Sequence, residues 1–145
     1  MAFKTVLWAA CIMILALSAC AAQPVALTAD EQAAFQKISE PLADNMLAGL
    51  NQKDYATFSK NFDEPMQSAM DEKQFNLLLL QVTDKIGEYQ SRQIVQMLRI
   101  SELVQVTYLA QFSQEKDVTI RITYEFTGAH NVAGLWFDSP TLRRK

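Results

Sequence analysis

Histidine and cysteine are scarce in this chain, and their scarcity removes most metal and nucleophile chemistry. There is one histidine, His130, and there are two cysteines, Cys11 and Cys20, in 145 residues. A zinc site of the usual ligands needs three or four such side chains. A serine or cysteine nucleophile needs a base to activate it, and none is spare. The four glycines are scattered, so there is no glycine-rich phosphate loop and no cofactor is expected. The formal net charge is −3, and basic residues cluster only at Arg143-Arg144-Lys145. That excludes the concentrated basic face of a nucleic-acid binder. Beyond the first twenty residues no apolar run is long enough to span a bilayer; Leu77-Leu78-Leu79-Leu80 is far too short. Internal repeats and low-complexity segments are absent.

Charge is also missing at the start, where Lys4 is the only charged residue before Asp30. The apolar stretch Thr5 to Leu17 has the length of a secretory h-region. It ends in Leu17-Ser18-Ala19-Cys20, a branched aliphatic, two small residues and a cysteine, which resembles a bacterial lipobox. The resemblance implies that residues 1–19 are a lipoprotein signal peptide and that the Cys20 thiol takes diacylglycerol, with palmitate-type acylation of the new amino terminus. Two or three acyl chains anchor stably, because each buried methylene contributes about 0.8 kcal/mol and one chain is marginal. The competing reading is an uncleaved span. Ala21 after the cysteine implies the periplasmic side of the outer membrane in a Gram-negative host, or the outer face of the plasma membrane in a Gram-positive one. Removal of nineteen residues from 145 leaves 126, enough for one domain, and loss of Lys4 takes the net charge from −3 to −4. The remaining cysteine cannot form an internal disulfide.

Residues 20–27 read as an extended tether on account of Pro24 and small neighbours. A capping box, Thr28-Ala29-Asp30-Glu31, then opens a helix. Phe35, Ile38, Leu42, Met46 and Leu50 recur on its one face, and Pro41 predicts a kink or break. Asp54 is a cap for a short helix bearing Tyr55, Phe58 and Phe62, and Asp63-Glu64-Pro65 restarts the chain into one or two helical turns. Asp71 begins a helix with Phe75, Leu78, Leu79, Val82 and Ile86, closed by Gly87. From Glu88 the period changes to two. Tyr89–Ile100 is a long strand whose polar Ser91-Arg92-Gln93 predicts a bulge. Leu103–Phe112 and Asp117–Phe126 alternate cleanly, and Val132–Asp138 follows a turn. Pro140 should end regular structure, leaving a basic tail over 139–145. Helices followed by a meander of strands give an α+β domain over 28–138, with the helices on one face of a curved antiparallel sheet.

This order, with several phrases, resembles the nuclear-transport-factor-2-like superfamily of cone-shaped domains, and within it a bacterial family of unknown function. The phrases are Leu50-Asn51-Gln52-Lys53-Asp54-Tyr55, Phe62-Asp63-Glu64-Pro65-Met66, Ile86-Gly87, Tyr108-Leu109-Ala110-Gln111-Phe112 and Val132-Ala133-Gly134-Leu135-Trp136-Phe137. The resemblance implies an apolar pocket at the open end of the cone, with isomerases, dehydratases and many non-catalytic modules among its bearers. Tyr89, Tyr108, Tyr124 and Trp136 are the candidate pocket lining, with plain core packing as the alternative. His130 reads as a solvated turn residue, and Arg121 with Glu125 as an outer-face pair. The expectation is a membrane-anchored binding module for a small apolar ligand or a protein partner. An isomerase-like enzyme and a homodimerising module are the rivals.

Overall fold

The computed structural model describes residues 22–144. The lipobox, the leader before it and Lys145 lie outside the described residues. The elements run β1 (Val25–Ala26), α1 (Ala29–Gln52), α2 (Tyr55–Ser59), α3 (Glu64–Ala69), α4 (Glu72–Gln81), α5 (Thr83–Ile86), β2 (Tyr89–Ile100), β3 (Leu103–Phe112), β4 (Val118–Glu125), β5 (Val132–Asp138) and α6 (Pro140–Arg143). The strands form one antiparallel sheet in the order β1-β2-β3-β4-β5. The protein is α+β, with its helices on one face of a curved sheet.

Local chemistry explains most of the boundaries. Thr28 accepts from the Glu31 amide while the Glu31 carboxylate accepts from the Thr28 amide at 2.8 Å, so both halves of the capping box are made. Asp54, Asp63 and Asp71 each accept an amide at the start of α2, α3 and α4. These caps satisfy donors that the first helical turn cannot pair internally. The backbone of α1 continues unbroken through Pro41. At the far end of α1, Gly49 is forced by packing rather than by its dihedrals. A Cβ there would lie 2.3 Å from the Phe58 amide nitrogen, so only glycine lets α2 cross so closely.

The sheet's inner face carries the core. Val104, Val106, Tyr108 and Ala110 on β3, and Val118, Ile120, Ile122 and Tyr124 on β4, are all fully buried against Ala43, Met46, Leu47 and Leu50 of α1. Burying each Val, Leu or Ile contributes about 1.5–3 kcal/mol, and alternation along the strands keeps those residues on one side. β2 shifts register between Tyr89 and Ser91 and again between Ile94 and Gln96. Such bulges add twist and let the long strand bend around the helices.

Several expectations change. Phe62, expected on the α2 helix, lies beyond its end. The tether is not wholly free of structure, because Val25 and Ala26 pair with Arg99 and Leu98. The neighbouring Leu27 side chain is buried there, which gives the chain a reason to lie down on the sheet. In α1 it is Ser39, not Ile38, that faces the core, and Ile38 is exposed. The helix that was expected to run from Asp71 to Gly87 divides at Val82, whose φ of −103° departs from the helical run. Finally, regular structure continues past Pro140, which occupies the first turn of α6 behind the Ser139 cap. A proline is tolerated there because the missing N–H has no helical partner anyway.

Candidate functional site

Among the described residues, polar chemistry and defined geometry meet in at least two places. The first lies between α1 and the sheet. Glu40 and Asp44 are four residues apart, hence on one face of α1, and both reach Arg92 of β2. Arg92 Nη2 donates to Glu40 Oε2 at 3.0 Å, and Nη1 lies 2.8 Å from Asp44 Oδ1. Nη1 also donates to the Tyr89 hydroxyl at 2.9 Å, and the guanidinium carbon stands 5.1 Å from the centre of the Tyr108 ring. The Tyr108 hydroxyl donates to Glu40 Oε1 at 2.9 Å, and that of Tyr124 to the Ser39 carbonyl at 3.3 Å. The Arg92 side chain is only 5% exposed, Glu40 31% and Asp44 69%.

Electrostatics follow from that burial. Burial opposes the Arg92 charge, but the hydrogen bonds to Asp44 and Tyr89 and the field of Glu40 outweigh it, and the guanidinium holds its proton more tightly than usual. Burial raises the Tyr108 hydroxyl well above its ordinary 10.0, with the Glu40 charge adding to it. Tyr124 is raised further, first by burial and then by the neighbouring Tyr108 hydroxyl. Both phenols stay neutral at any physiological pH. Ser39 Oγ and Arg92 Nε are buried with no hydrogen-bond partner among the described residues.

This cluster clamps a helix to a sheet. Both Glu40 oxygens are engaged, burial favours the neutral form of the phenols, and His130 stands elsewhere. The His130 Nδ1 is 3.1 Å from the Glu125 carbonyl, and its ring meets Phe35 edge-on at 5.8 Å, so it is half-buried rather than solvated. Among the described residues no group of three or more His, Cys, Asp or Glu side chains could hold a metal.

The second place is a groove of about 550 Å³ beside β5. Leu135, Trp136 and Phe137 form its strand wall, and Leu78, Val82 and Leu142 its apolar side. Lys85, Arg143 and Arg144 stand on its rim. β5 closes on β4 along one edge only. Its other edge is used at Val132, which accepts from the Asp63 amide at 3.0 Å and donates to the Asn61 carbonyl at 2.7 Å. From Gly134 to Asp138 that edge has no backbone partner among the described residues.

The four candidate lining residues therefore separate. Tyr89, Tyr108 and Tyr124 gather around Arg92 and Glu40, where Tyr108 and Tyr124 are fully buried and fill the space between helix and sheet. Trp136 is on the opposite face, 44% exposed, with the Arg121 guanidinium 3.9 Å from the ring centre. Arg121 and Glu125 take the outer-face positions expected of them, half-buried there. Cys20 lies outside the described residues. Arg92, Glu40 and Asp44 are not evident from the sequence, because the register shifts of β2 hide which face Arg92 takes and the two carboxylates read as helical surface charges.

No curated protein and no solved structure matches the chain. A family model described as "Protein of unknown function (DUF3887)" matches residues 43–135, from the middle of α1 to β5 and including Arg92, Tyr108 and Tyr124. The chain thus belongs to the DUF3887 family of proteins of unknown function.

Proposed function

We propose that this is a lipid-anchored, non-catalytic module of the bacterial envelope that binds a protein partner through its surface. The observation that carries the reading is the filled interior. Tyr108 and Tyr124 are fully buried, Arg92 nearly so, and together they occupy the concave side where a domain of this kind would keep a ligand. An enzyme needs an acid or base with freedom to exchange protons at working pH, and the ionisable groups of this cluster are paired or held neutral. The order of helices and strands also supports the likeness to the nuclear-transport-factor-2-like cone.

The anchor reading rests on Leu17-Ser18-Ala19-Cys20, and the sheet adds a consequence. From Cys20 to Val25, where β1 begins, five residue steps reach at most about 17 Å. An acylated Cys20 would hold the β1 edge close to the bilayer. The β5 edge lies four strand spacings away, about 19 Å across the sheet, and would face outward. The test labels cells with a radioactive fatty acid and compares wild type with Cys20→Ser. Wild type should incorporate label and partition into detergent; the variant should do neither. A processed Cys20→Ser protein that still partitions like wild type would remove the anchor. Cross-linking from photoreactive residues on the domain surface should then capture a protein at discrete positions, and capture of no protein from any face would end the protein-binding reading.

A further inference from the structure

We infer that the groove beside β5 takes an extended acidic segment of the partner, added as a sixth strand. The inference rests on the protein-binding reading above and locates its site. An unpaired strand edge presents a row of amides and carbonyls ready for another chain, and strand addition is a recurrent mode of peptide recognition. The Asn61–Asp63 segment already uses this edge in parallel at Val132. The groove continues the same line along Leu135–Phe137, where backbone groups on that side have no partner among the described residues.

Side chains define the occupant. An added strand alternates its side chains between two faces. One set would enter the apolar space between Leu78, Val82 and Leu142, which suits aliphatic residues. Lys85 and Arg144 stand at the rim with no ion-pair partner among the described residues, while Arg143 is tied to Asp138. No carboxylate lines the groove, in a chain whose net charge is −3. That polarity selects acidic residues in the incoming segment and steers their approach. It disfavours a second copy, since β5 pairing with β5 would bring two sets of these cations together. Membrane headgroups are disfavoured too, because the edge lies across the sheet from the anchor.

Trp136 lines this groove, and the only other tryptophan is Trp8. The protein carrying Trp8→Phe, extracted from membranes in non-ionic detergent, therefore reports on the groove through one fluorophore whether or not the leader is removed. The probes are an acetylated peptide alternating Glu and Val and its Lys–Val counterpart. The Glu–Val peptide should shift Trp136 emission saturably and bind at least about tenfold more tightly than the Lys–Val peptide, with the preference falling as salt rises. It should also slow hydrogen exchange at amides within Gly134–Asp138. Charge reversal by Lys85→Glu with Arg144→Glu, both exposed positions, should invert the preference while leaving the circular dichroism unchanged.

Absence of a saturable response overturns the inference, as does equal binding of the two peptides. A dimer that protects β5 amides without peptide overturns it in favour of self-assembly. Anionic phosphatidylglycerol vesicles that bind as tightly as the Glu–Val peptide overturn it in favour of a lipid surface. If both peptides fail while a protein is cross-linked from another face, the site is wrong and the protein-binding reading stands.

Discussion

Removing Glu40 should harm the protein more than removing Arg92, although the two form one ion pair. The reason is unequal burial: the Arg92 side chain is 5% exposed, whereas Glu40 is 31% and Asp44 69% exposed. Glu40→Ala takes from a buried guanidinium its bond at 3.0 Å, and from a buried Tyr108 hydroxyl its acceptor at 2.9 Å. A hydrogen bond to a charged group contributes about 1.5–3 kcal/mol, and a stranded buried donor costs about 1–3 kcal/mol. Asp44 and the Glu40 carbonyl still hold Arg92, so the combined loss is set at about 3 kcal/mol rather than the sum. Arg92→Met keeps a long unbranched side chain in the same space and removes both a buried charge and the unpartnered Nε. The carboxylates left behind recover water. Removing one partner of an ion pair is costly where the charge left behind stays buried, but Glu40 and Asp44 are part-exposed and re-solvate, so the expected loss is about 1 kcal/mol. Urea unfolding of the chain from Ala22, followed by circular dichroism, measures both. With a slope of about 1–3 kcal/mol per molar, Glu40→Ala should lower the midpoint by at least about 1 M. If Arg92→Met is as damaging as Glu40→Ala, or Glu40→Ala is silent, the cluster is not the clamp described.

Three other outcomes follow from the same contacts. Gly49→Ala places a methyl 2.3 Å from the Phe58 backbone nitrogen, so the α1–α2 corner must move; overpacking of this kind costs about 1–3 kcal/mol, and a melting temperature equal to wild type would contradict the close approach. Tyr108 and Tyr124 are raised above 10.0, so the unfolded chain loses their protons first. Their stabilisation is complete below pH 10 and is lost as pH rises beyond it; alkaline titration by absorbance should show two of the four tyrosines ionising only on unfolding. At acid pH the sign reverses. The Thr28 amide and hydroxyl hold the Glu31 carboxyl below its ordinary 4.5, and the Arg143 hydrogen bond holds Asp138 below 3.8. Their stabilisation is present above those ordinary values and is lost as pH falls through the lowered ones. Glu31→Gln, which removes the titrating carboxyl, should flatten the acid limb of the stability curve, and an unchanged limb would count against the capping box as its source.

The strands and helix caps were legible in the sequence because each depends on neighbours a few positions away. Leu103–Phe112 alternates without interruption and forms β3 with those bounds; Thr28, Asp54, Asp63 and Asp71 all cap. The polar cluster was not legible, because it is assembled from α1, β2, β3 and β4. Two bulges in β2 reset the parity that would have marked Arg92 as inward, and Glu40 and Asp44 look like ordinary helical surface charges. Ser39 displaces Ile38 from the core for a similar reason. Its small side chain lets β4 approach until the Tyr124 hydroxyl reaches the Ser39 carbonyl, a requirement that hydrophobic periodicity does not express. The β5 groove depends on strand order, which places Val25 and Phe137 at opposite edges.

The central claim is that the concave side is occupied by the protein's own side chains, so that binding falls to its surface. Native mass spectrometry of the protein extracted from membranes in non-ionic detergent tests it most directly. The expected mass is the chain from Cys20 with its covalent lipid, free of any other small molecule and alone or with a protein partner. A small molecule retained without a covalent bond, and lost when Tyr108 or Tyr124 is replaced by a bulkier residue, would contradict it.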